Sequence, residues 1–310
     1  MATLNYLLEN APNGFGHTVA VAAAADRAVL EAVNMAVDRK MAHFRLYDDE
    51  LAATAMMREY FPRLLNHPHV QLHHVSSVEM AAEEAVKSVF RNDSDILMKG
   101  QIATAVLLKA VLNPDYGLRT GSVMSHIAAF EVAGFDRLIF VTDAGMNIHP
   151  DLSQKVQIIQ NAVQIARAVG VEMPIVAPLA GLEVINPNME ATLDAAALTA
   201  MNQRGQIKNC IVDGPFALDN AISVDAAKHK RIAGDNAGKA DILLVPTIES
   251  GNILYKSLVF FSKAKVGSIV AGAKAPIVLS SRADSAESKL YSLVLAICSS
   301  STSGTTIRRN

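Results

Sequence analysis

The chain has 310 residues with no tryptophan, two cysteines and only 5% aromatic residues. Two cysteines, Cys210 and Cys298, are too few for a disulfide framework, and their spacing fits neither a zinc site nor a thioredoxin-type pair. No basic leader opens the sequence, and its first apolar stretch, residues 19–25, is far shorter than the ~18 residues of a membrane span. These features predict a cytoplasmic protein that does not bind a membrane.

The charges are nearly balanced, with 28 Lys and Arg against 30 Asp and Glu and a net charge of −2. Such a balance argues against a nucleic-acid partner, because a protein that binds a polyanion usually carries an excess of basic residues. An anionic small molecule remains compatible, because a few local cations can bind it. Hydrophobic residues make up 51% and charged residues 19%, which predicts a globular protein with an aliphatic core.

Short apolar runs alternate with longer segments of helical period along the chain. This alternation is typical of βαβ units, so it predicts the α/β class with mostly parallel sheets. A clear helix is expected at 154–169, ended by Gly170. The predicted strands are 18–24, 43–47, 70–75, 95–99, 137–142, 173–177, 209–212, 241–245, 268–271 and 277–280.

No linker rich in Pro, Gly or Ser divides the chain, so a domain boundary must lie in ordinary connections. The clearest break in the first half is 113–117, and 266–268 is a possible return point before the last strands. A return there would make the first α/β domain discontinuous, 1–120 plus 269–310, with 121–268 as the second α/β domain, and this is the division that we expect.

The end of the last predicted strand has the chemistry of an anion site. Ser281 and Arg282 follow an apolar strand and precede a helix, so hydroxyl, guanidinium and free backbone N–H groups meet there. The alternative is that Ser281 caps the helix in a box with Asp284 while Arg282 is solvated.

Two other strand ends carry hydroxyls, amides and cations. Asn252 and Lys256 stand four residues apart after the strand 241–245, and Thr104 and Lys109 follow the strand 95–99. A capping Asn with a surface Lys explains the first pair equally well. Because α/β sheets bind ligands beyond the carboxyl ends of their strands, the three ends together predict a cleft for a phosphorylated ligand.

Several common sites are disfavoured. Neither a G-x-G-x-x-G after the first strand nor a P-loop is present, so the sequence does not favour binding of a dinucleotide or of a nucleoside triphosphate. The histidines at 67, 69, 73 and 74 fall on two faces of a strand and its loop, so no metal site is predicted from them. Both cysteines lie in apolar runs and are expected to be inert core thiols.

Taken together and in this order, these segments resemble the phosphate acetyl/butyryltransferase family over about residues 95–292. Two of the motifs, Asp-Gly-Pro at 213–215 and Ser-Arg-Ala-Asp at 281–284, are more similar to those of the butyryl branch than to those of the acetyl branch. The pieces that carry the resemblance are Val141-Thr142-Asp143-Ala144, Gly205-Gln206-Ile207-Lys208, Val212-Asp213-Gly214-Pro215, Leu218-Asp219-Asn220-Ala221, Gly251-Asn252-Ile253-Leu254-Tyr255-Lys256 and Ser280-Ser281-Arg282-Ala283-Asp284.

The resemblance implies a two-domain subunit of the isocitrate/isopropylmalate dehydrogenase-like fold, with the active site in the cleft between domains. It further implies a homodimer or higher homo-oligomer. The implied reaction is acyl-CoA plus phosphate giving acyl phosphate plus CoA, butanoyl for this branch. It needs no metal at the reacting centre and no cofactor, because CoA is a substrate.

The resemblance also assigns roles to residues. Ser281 and Arg282 match the catalytic pair that stabilises the transition state and binds CoA or phosphate, and Lys109 falls where acetyl-type members carry a substrate-binding arginine. Thr104, Asn252 and Lys256 complete the predicted substrate-binding set.

One position departs from the acetyl branch. The thiol base there is an aspartate seven residues after the serine, and this position is Ser288 here. Glu287 and Asp284 are weak candidates, so the base stays unknown. Because a thiol of pKa ~8.5 is partly ionised near neutral pH, a nearby cation can suffice. We expect direct transfer without an acyl-enzyme.

Three alternatives remain open at this stage. The chain can be a relative that uses acetyl-CoA or an acyl-carrier protein with phosphate. It can be a non-catalytic acyl-CoA sensor, or a nicotinamide-dependent dehydrogenase of similar fold, although no Asp cluster suited to a divalent metal is evident. The length and branching of the acyl chain cannot be read from the sequence.

Overall fold

The structure is a computed structural model that describes residues 3–280 and 284–304, with side chains to residue 300. It confirms the predicted α/β class. The strands are β1 (Thr18–Ala22), β2 (His43–Asp48), β3 (Val70–His74), β4 (Ile96–Lys99), β5 (Ser125–Glu131), β6 (Ile139–Thr142), β7 (Ile175–Pro178), β8 (Ile211–Val212), β9 (Ile242–Leu244), β10 (Lys265–Ala271) and β11 (Ile277–Val278).

Helices separate most of the strands along the chain. They are α1 (Leu4–Glu9), α2 (Arg27–Asp38), α3 (Glu50–Tyr60), α4 (Val78–Phe90), α5 (Thr104–Val111), α6 (Leu152–Ala168), α7 (Glu190–Gln203), α8 (Leu218–Ile222), α9 (Val224–His229), α10 (Ile248–Phe260) and α11 (Ala286–Gly304), with a 3₁₀ turn at Pro62–Leu64. Within the described residues, no helix is long and apolar enough to cross a membrane.

Contacts between Cα atoms divide the chain into two compact units. We call them the terminal unit, the described residues of Asn5–Ser122 and Gly267–Asn310, and the central unit, those of Met1–Leu4 and Val123–Val266. Each contains hydrogen-bonded strands with helices between them in the chain.

In the terminal unit the strand order is β3-β2-β1-β4-β11-β10. All neighbours are parallel except β10 and β11, which are antiparallel. Ala22 pairs with Lys99, and Val278 pairs with Met98, so β1, β4 and β11 end side by side. β4 is buried along its whole length, because helices cover both faces of a parallel sheet, and this explains its continuous apolar sequence.

In the central unit the strand order is β5-β6-β9-β7-β8. β6, β9, β7 and β8 are parallel, and β5 is antiparallel to β6. The core between strands and helices contains Phe130, Val141, Ala177 and Leu243, all at most 1% exposed. The predicted helix at 154–169 is α6, which starts from a capping box of Asp151 and Gln154.

Each strand predicted from the sequence is present, but β5 was missed. Its sequence, Ser-His-Ile-Ala-Ala-Phe-Glu, has two alanines at its centre, and alanine is depleted in strands. Burial and pairing with β6 override this weak propensity. α11 begins at Ala286, and the alternative capping box at Ser281 lies outside the described residues. The hydroxyl of Ser285 caps the helix, since it accepts a hydrogen bond from the Ser288 N–H at 3.1 Å.

Candidate active site

A crevice for a ligand is expected where the chain changes direction across the terminal unit. From β1 the chain runs through β2 to β3 on one side, and then returns to form β4 on the other side of β1. At such a point, where the strand order reverses, the loops that follow the two neighbouring strands run in opposite directions. Open α/β sheets bind ligands in the gap between these two loops. The gap lies beyond Ala22 and Lys99.

The loop after β4 fits closely against the end of β1. The Gly100 N–H donates to the carbonyl oxygen of Ala22 at 2.9 Å, and the Gln101 N–H donates to that of Ala23 at 2.7 Å. A Cβ atom at Gly100 would lie 1.9 Å from the Ala23 oxygen. Only glycine therefore permits this approach, which fixes the end of β4 beside the end of β1.

Two buried lysines meet at Ser280, the second residue after β11. Lys99 and Lys289 are each 3% exposed, and Ser280 is 4% exposed. Lys289 Nζ donates to Ser280 Oγ at 3.3 Å, and Lys99 Nζ donates to the carbonyl oxygens of Ser280 and Gly100, both at 3.4 Å. Ser280 is thus held at its hydroxyl and at its backbone by two ammonium groups.

The surroundings of Lys289 lower its pKa from the ordinary lysine value. Burial is the main cause, because it penalises the charged ammonium, and the carboxylates of Asp284 and Asp26 partly oppose it. Asp26 also caps α2, since its side chain accepts a hydrogen bond from the Val29 N–H. Lysines, serine and carboxylates thus come from β4, α11, the connection between β11 and α11, and the loop before α2.

The predicted catalytic pair lies next to this cluster in sequence. Ser281 and Arg282 are outside the described residues, and Ser280 directly precedes them. Of the two weak candidates for the base, Glu287 is exposed and accepts a hydrogen bond from the Tyr291 hydroxyl at 2.8 Å. Asp284 acts electrostatically on Lys289. Both carboxylates are therefore already engaged, and the base stays unassigned.

Thr104 and Lys109 lie at the two ends of α5. Thr104 is its first residue, Lys109 is in its last turn, and both are exposed. Five residues along a helix correspond to a rotation of about 140°, so the two side chains do not share a face. The substrate-binding role of each stays a prediction.

In the central unit, the buried carboxylate of Asp143 organises the loop after β6. It accepts backbone hydrogen bonds from His126 at 3.2 Å, Gly145 at 2.9 Å, Met146 at 3.0 Å and Asn147 at 3.1 Å. In the sequence, Asp143 drew attention only as part of Val141-Thr142-Asp143-Ala144, one of the motifs that resemble the family. Its role in the described structure is to hold β5 and the loop after β6 together.

Asn252 and Lys256 both lie on α10, as their spacing predicted, and both are exposed. Gly251 lies in the first turns of this helix, where a side chain has no room. A Cβ atom there would lie 2.6 Å from the Asp143 carbonyl oxygen and 2.9 Å from Ala144 Cα. The first turn of α10 is therefore pressed against the end of β6, with Asn252 directly after the contact.

An apolar groove of about 570 Å³ opens beyond the ends of β7 and β9 in the central unit. Asn252 and Lys256 do not line it. Its lining residues are Leu179, Ala180, Leu218, Val245, Pro246, Ser250, Ile253, Leu254 and Ser257.

The motif Leu218-Asp219-Asn220-Ala221, which also resembles the family, takes part in a polar network in the central unit. Lys230 forms ion pairs with Glu183 at 2.7 Å and with Asp219 at 3.1 Å, and Asn220 donates to Glu183. These contacts join α8, the residue after α9 and the segment before α7. Asp219 and Asn220 therefore have a structural role that explains the motif without a ligand.

The two thiols are poor nucleophiles. Burial raises the pKa of Cys210 and of Cys298 to about 11, so little thiolate forms near neutral pH. This agrees with the interpretation of both cysteines as inert.

Comparison with known proteins agrees with the motifs. The family model described as "Phosphate acetyl/butaryl transferase" matches residues 55–297. A probable phosphate butyryltransferase of Bacillus subtilis is 55% identical over 91% of this chain and 93% of its own length. A phosphate butyryltransferase of Clostridium beijerinckii is 47% identical over 90% and 91%, and a phosphate acetyltransferase of Thermotoga maritima is 46% identical over 94% and 98%.

Solved structures show the same relationship. A branched-chain phosphotransacylase of Enterococcus faecalis superposes with a TM-score of 0.79 at 35% identity, over 92% of this chain and 99% of its own. A 4-hydroxythreonine-4-phosphate dehydrogenase of Klebsiella pneumoniae shares the fold at a TM-score of 0.52 and 14% identity, over 92% and 99%. With these matches in fold and sequence, the chain belongs to the phosphate acetyl/butyryltransferase family.

Proposed function

We propose that this protein is an enzyme that transfers a short-chain acyl group between CoA and inorganic phosphate: butanoyl-CoA + phosphate ⇌ butanoyl phosphate + CoA. The observation that carries the proposal is the pair of relatives named for this activity, at 55% and 47% identity over at least nine-tenths of the chain.

The carboxyl edge of the terminal unit supports the placement of the chemistry. Ser281 and Arg282 directly follow Ser280 in sequence, and Ser280 lies two residues after β11, the neighbour of β4. A hydroxyl and a guanidinium there can stabilise the oxyanion that develops on the acyl carbonyl, and the guanidinium can bind phosphate oxygens in a bidentate way. In this proposal Ser281 and Arg282 are the catalytic pair.

The transfer is direct in this proposal. A phosphate oxygen attacks the thioester carbonyl carbon, the C–S bond breaks, and the CoA thiolate leaves and takes up a proton. The reverse reaction begins with thiolate attack on the acyl phosphate. Positioning of the two substrates supplies most of the acceleration. The raised pKa of both thiols supports a route without an acyl-cysteine.

Lys109, Thr104, Asn252 and Lys256 are the proposed substrate-binding residues. All four are exposed, so a ligand can reach them. CoA enters as a substrate, and neither a cofactor nor a metal at the reacting centre takes part. A homodimeric or larger assembly and a position of the site between two domains stay predictions.

The test is phosphate-dependent release of CoA from acetyl-, butanoyl-, isobutanoyl- and 3-methylbutanoyl-CoA, followed with a thiol reagent. Butanoyl-CoA and its branched relatives should give a higher kcat/KM than acetyl-CoA, and release should stop when phosphate is omitted. CoA release that does not depend on phosphate would contradict the proposal.

A phosphate acetyltransferase is the second candidate, favoured by the Thermotoga maritima relative of that name at 46% identity. Preference for acetyl-CoA in the same series would establish it. Transfer only from an acyl-carrier protein, or acyl-CoA binding without turnover, would favour the acyl-carrier-protein enzyme or the non-catalytic sensor.

A further inference from the structure

Ser280 stands out because two ammonium groups bind its two different oxygens. Lys289 reaches its hydroxyl at 3.3 Å from the first turns of α11, and Lys99 reaches its carbonyl oxygen at 3.4 Å from the end of β4. The two lysines thus fix the direction of the Ser280 side chain and the position of its peptide group.

Such an arrangement is costly to the fold. Lysine is almost never fully buried, because moving its ammonium out of water is unfavourable unless hydrogen bonds and counter-charges compensate. Both lysines here are 3% exposed, and burial already lowers the pKa of Lys289. Leucine or methionine would fill the same space without this cost. A buried charge cluster at the carboxyl edge of a sheet therefore indicates a functional requirement.

The position of Ser280 in the chain suggests what the requirement is. It is the last described residue before the proposed catalytic pair, Ser281 and Arg282. The two lysines therefore fix the residue that leads into this pair.

We propose that Lys99 and Lys289 are positioning residues: they hold Ser280, the residue that directly precedes Ser281 and Arg282 in the chain, and thereby support the catalysis proposed for that pair. This inference rests on the proposed function. Neither lysine needs to touch a substrate.

The proposal predicts a loss of kcat without a matching loss of binding. Removing the Lys289 ammonium releases the Ser280 hydroxyl, and a misplacement of about 1 Å can cost a factor of about 10² in rate. Lys289→Met should therefore lower kcat for phosphate-dependent CoA release at least about tenfold, with the KM values for phosphate and butanoyl-CoA changed by less than about threefold.

The decisive test is a double-mutant cycle with Lys289→Met and Arg282→Ala, measured as kcat/KM at high enzyme concentration. If Lys289 acts through the catalytic pair, its substitution should cost less than about threefold once Arg282 is absent. A merely structural role would lower kcat/KM by the same factor in both backgrounds.

Lys155→Met is the matched control, because Lys155 is also 3% exposed but pairs with Asp194 in the central unit. Its effect on kcat/KM should be the same with and without Arg282. If Lys289→Met does not fold, as judged by circular dichroism, Ser280→Ala takes its place in the cycle.

Additive effects of Lys289→Met, or of Ser280→Ala in its place, with Arg282→Ala would overturn the inference and leave the proposed function intact. Absence of phosphate-dependent CoA release by the unaltered enzyme would instead refute the proposed function, before any variant is compared. The two failures are therefore distinguishable.

Discussion

Gly251 and Asp143 are in such close contact that a Cβ atom on the glycine would lie 2.6 Å from the carbonyl oxygen of the aspartate. Gly251 is in the first turns of α10, and Asp143 directly follows β6. Backbone meets backbone here, so neither side can rotate away. The helix that carries Asn252 and Lys256 is therefore packed closely against the end of β6.

Gly251→Ala should destabilise the protein, against the usual effect of this change in a helix. Alanine normally stabilises a helix interior relative to glycine by about 0.5–1 kcal/mol. Here the added methyl group must displace backbone atoms, and we expect a net loss of about 1–3 kcal/mol in the free energy of unfolding. Urea denaturation measures it.

Gly16→Ala is the control for that measurement, because a Cβ atom at Gly16 would meet nothing within 4 Å. Its effect on the free energy of unfolding should be small. Increased stability of Gly251→Ala would show that the close approach does not exist in solution.

Asp143→Asn should destabilise the central unit. The carboxylate oxygens accept four backbone N–H groups, and an amide would turn an NH₂ donor towards some of these donors. We expect a loss of about 3 kcal/mol by urea denaturation. Asp235→Asn, at an exposed position of the same unit, should change stability very little. Equal stability of the two variants would argue against the role of Asp143.

Stability at high pH should report the burial of Lys289. Its pKa is lowered in the folded state, mainly by burial and against the opposing effects of Asp284 and Asp26, so the unfolded state binds more protons above the folded pKa. The free energy of unfolding of the unaltered protein should therefore rise relative to that of Lys289→Met as pH increases towards 10.5, the ordinary lysine value. Parallel pH profiles between about pH 8 and 10 would contradict a lowered pKa.

Replacement of both cysteines should leave catalysis nearly unchanged. With pKa values of about 11, Cys210 and Cys298 form little thiolate, and direct transfer has no step for them. The Cys210→Ala/Cys298→Ala variant should retain kcat within about threefold if it remains folded. A covalent butanoyl adduct seen by intact-mass spectrometry, or a burst of CoA release equal to the enzyme concentration, would refute direct transfer.

Much of the fold could be predicted, because parallel strands that are buried on both faces have continuous apolar sequences. β4 is such a run, whereas β5 escaped notice because tertiary pairing, not propensity, makes its central alanines a strand. The start of α11 at Ala286 could not be fixed from the sequence, because Ser281 and Ser285 both carry a hydroxyl that can cap a helix, and the local pattern does not rank them.

The site was harder to predict. Lys99 ends an apolar strand and Lys289 interrupts an apolar helix, which are weak signals of burial in a single sequence. Their meeting at Ser280 depends on β4 and β11 being neighbours, although 181 residues separate Lys99 from Ser280. Sequence spacing alone cannot give such a long-range pairing.

The most direct test of the central claim, that the end of β11 carries the catalysis of acyl transfer, is the initial rate of phosphate-dependent CoA release by Arg282→Ala. Arg204→Ala, at an exposed position after α7, is the control. We predict that Arg282→Ala lowers kcat/KM for butanoyl-CoA at least about 100-fold with an unchanged Tm, because it removes a charged partner of the developing oxyanion. Kinetics close to those of the unaltered enzyme would contradict the account.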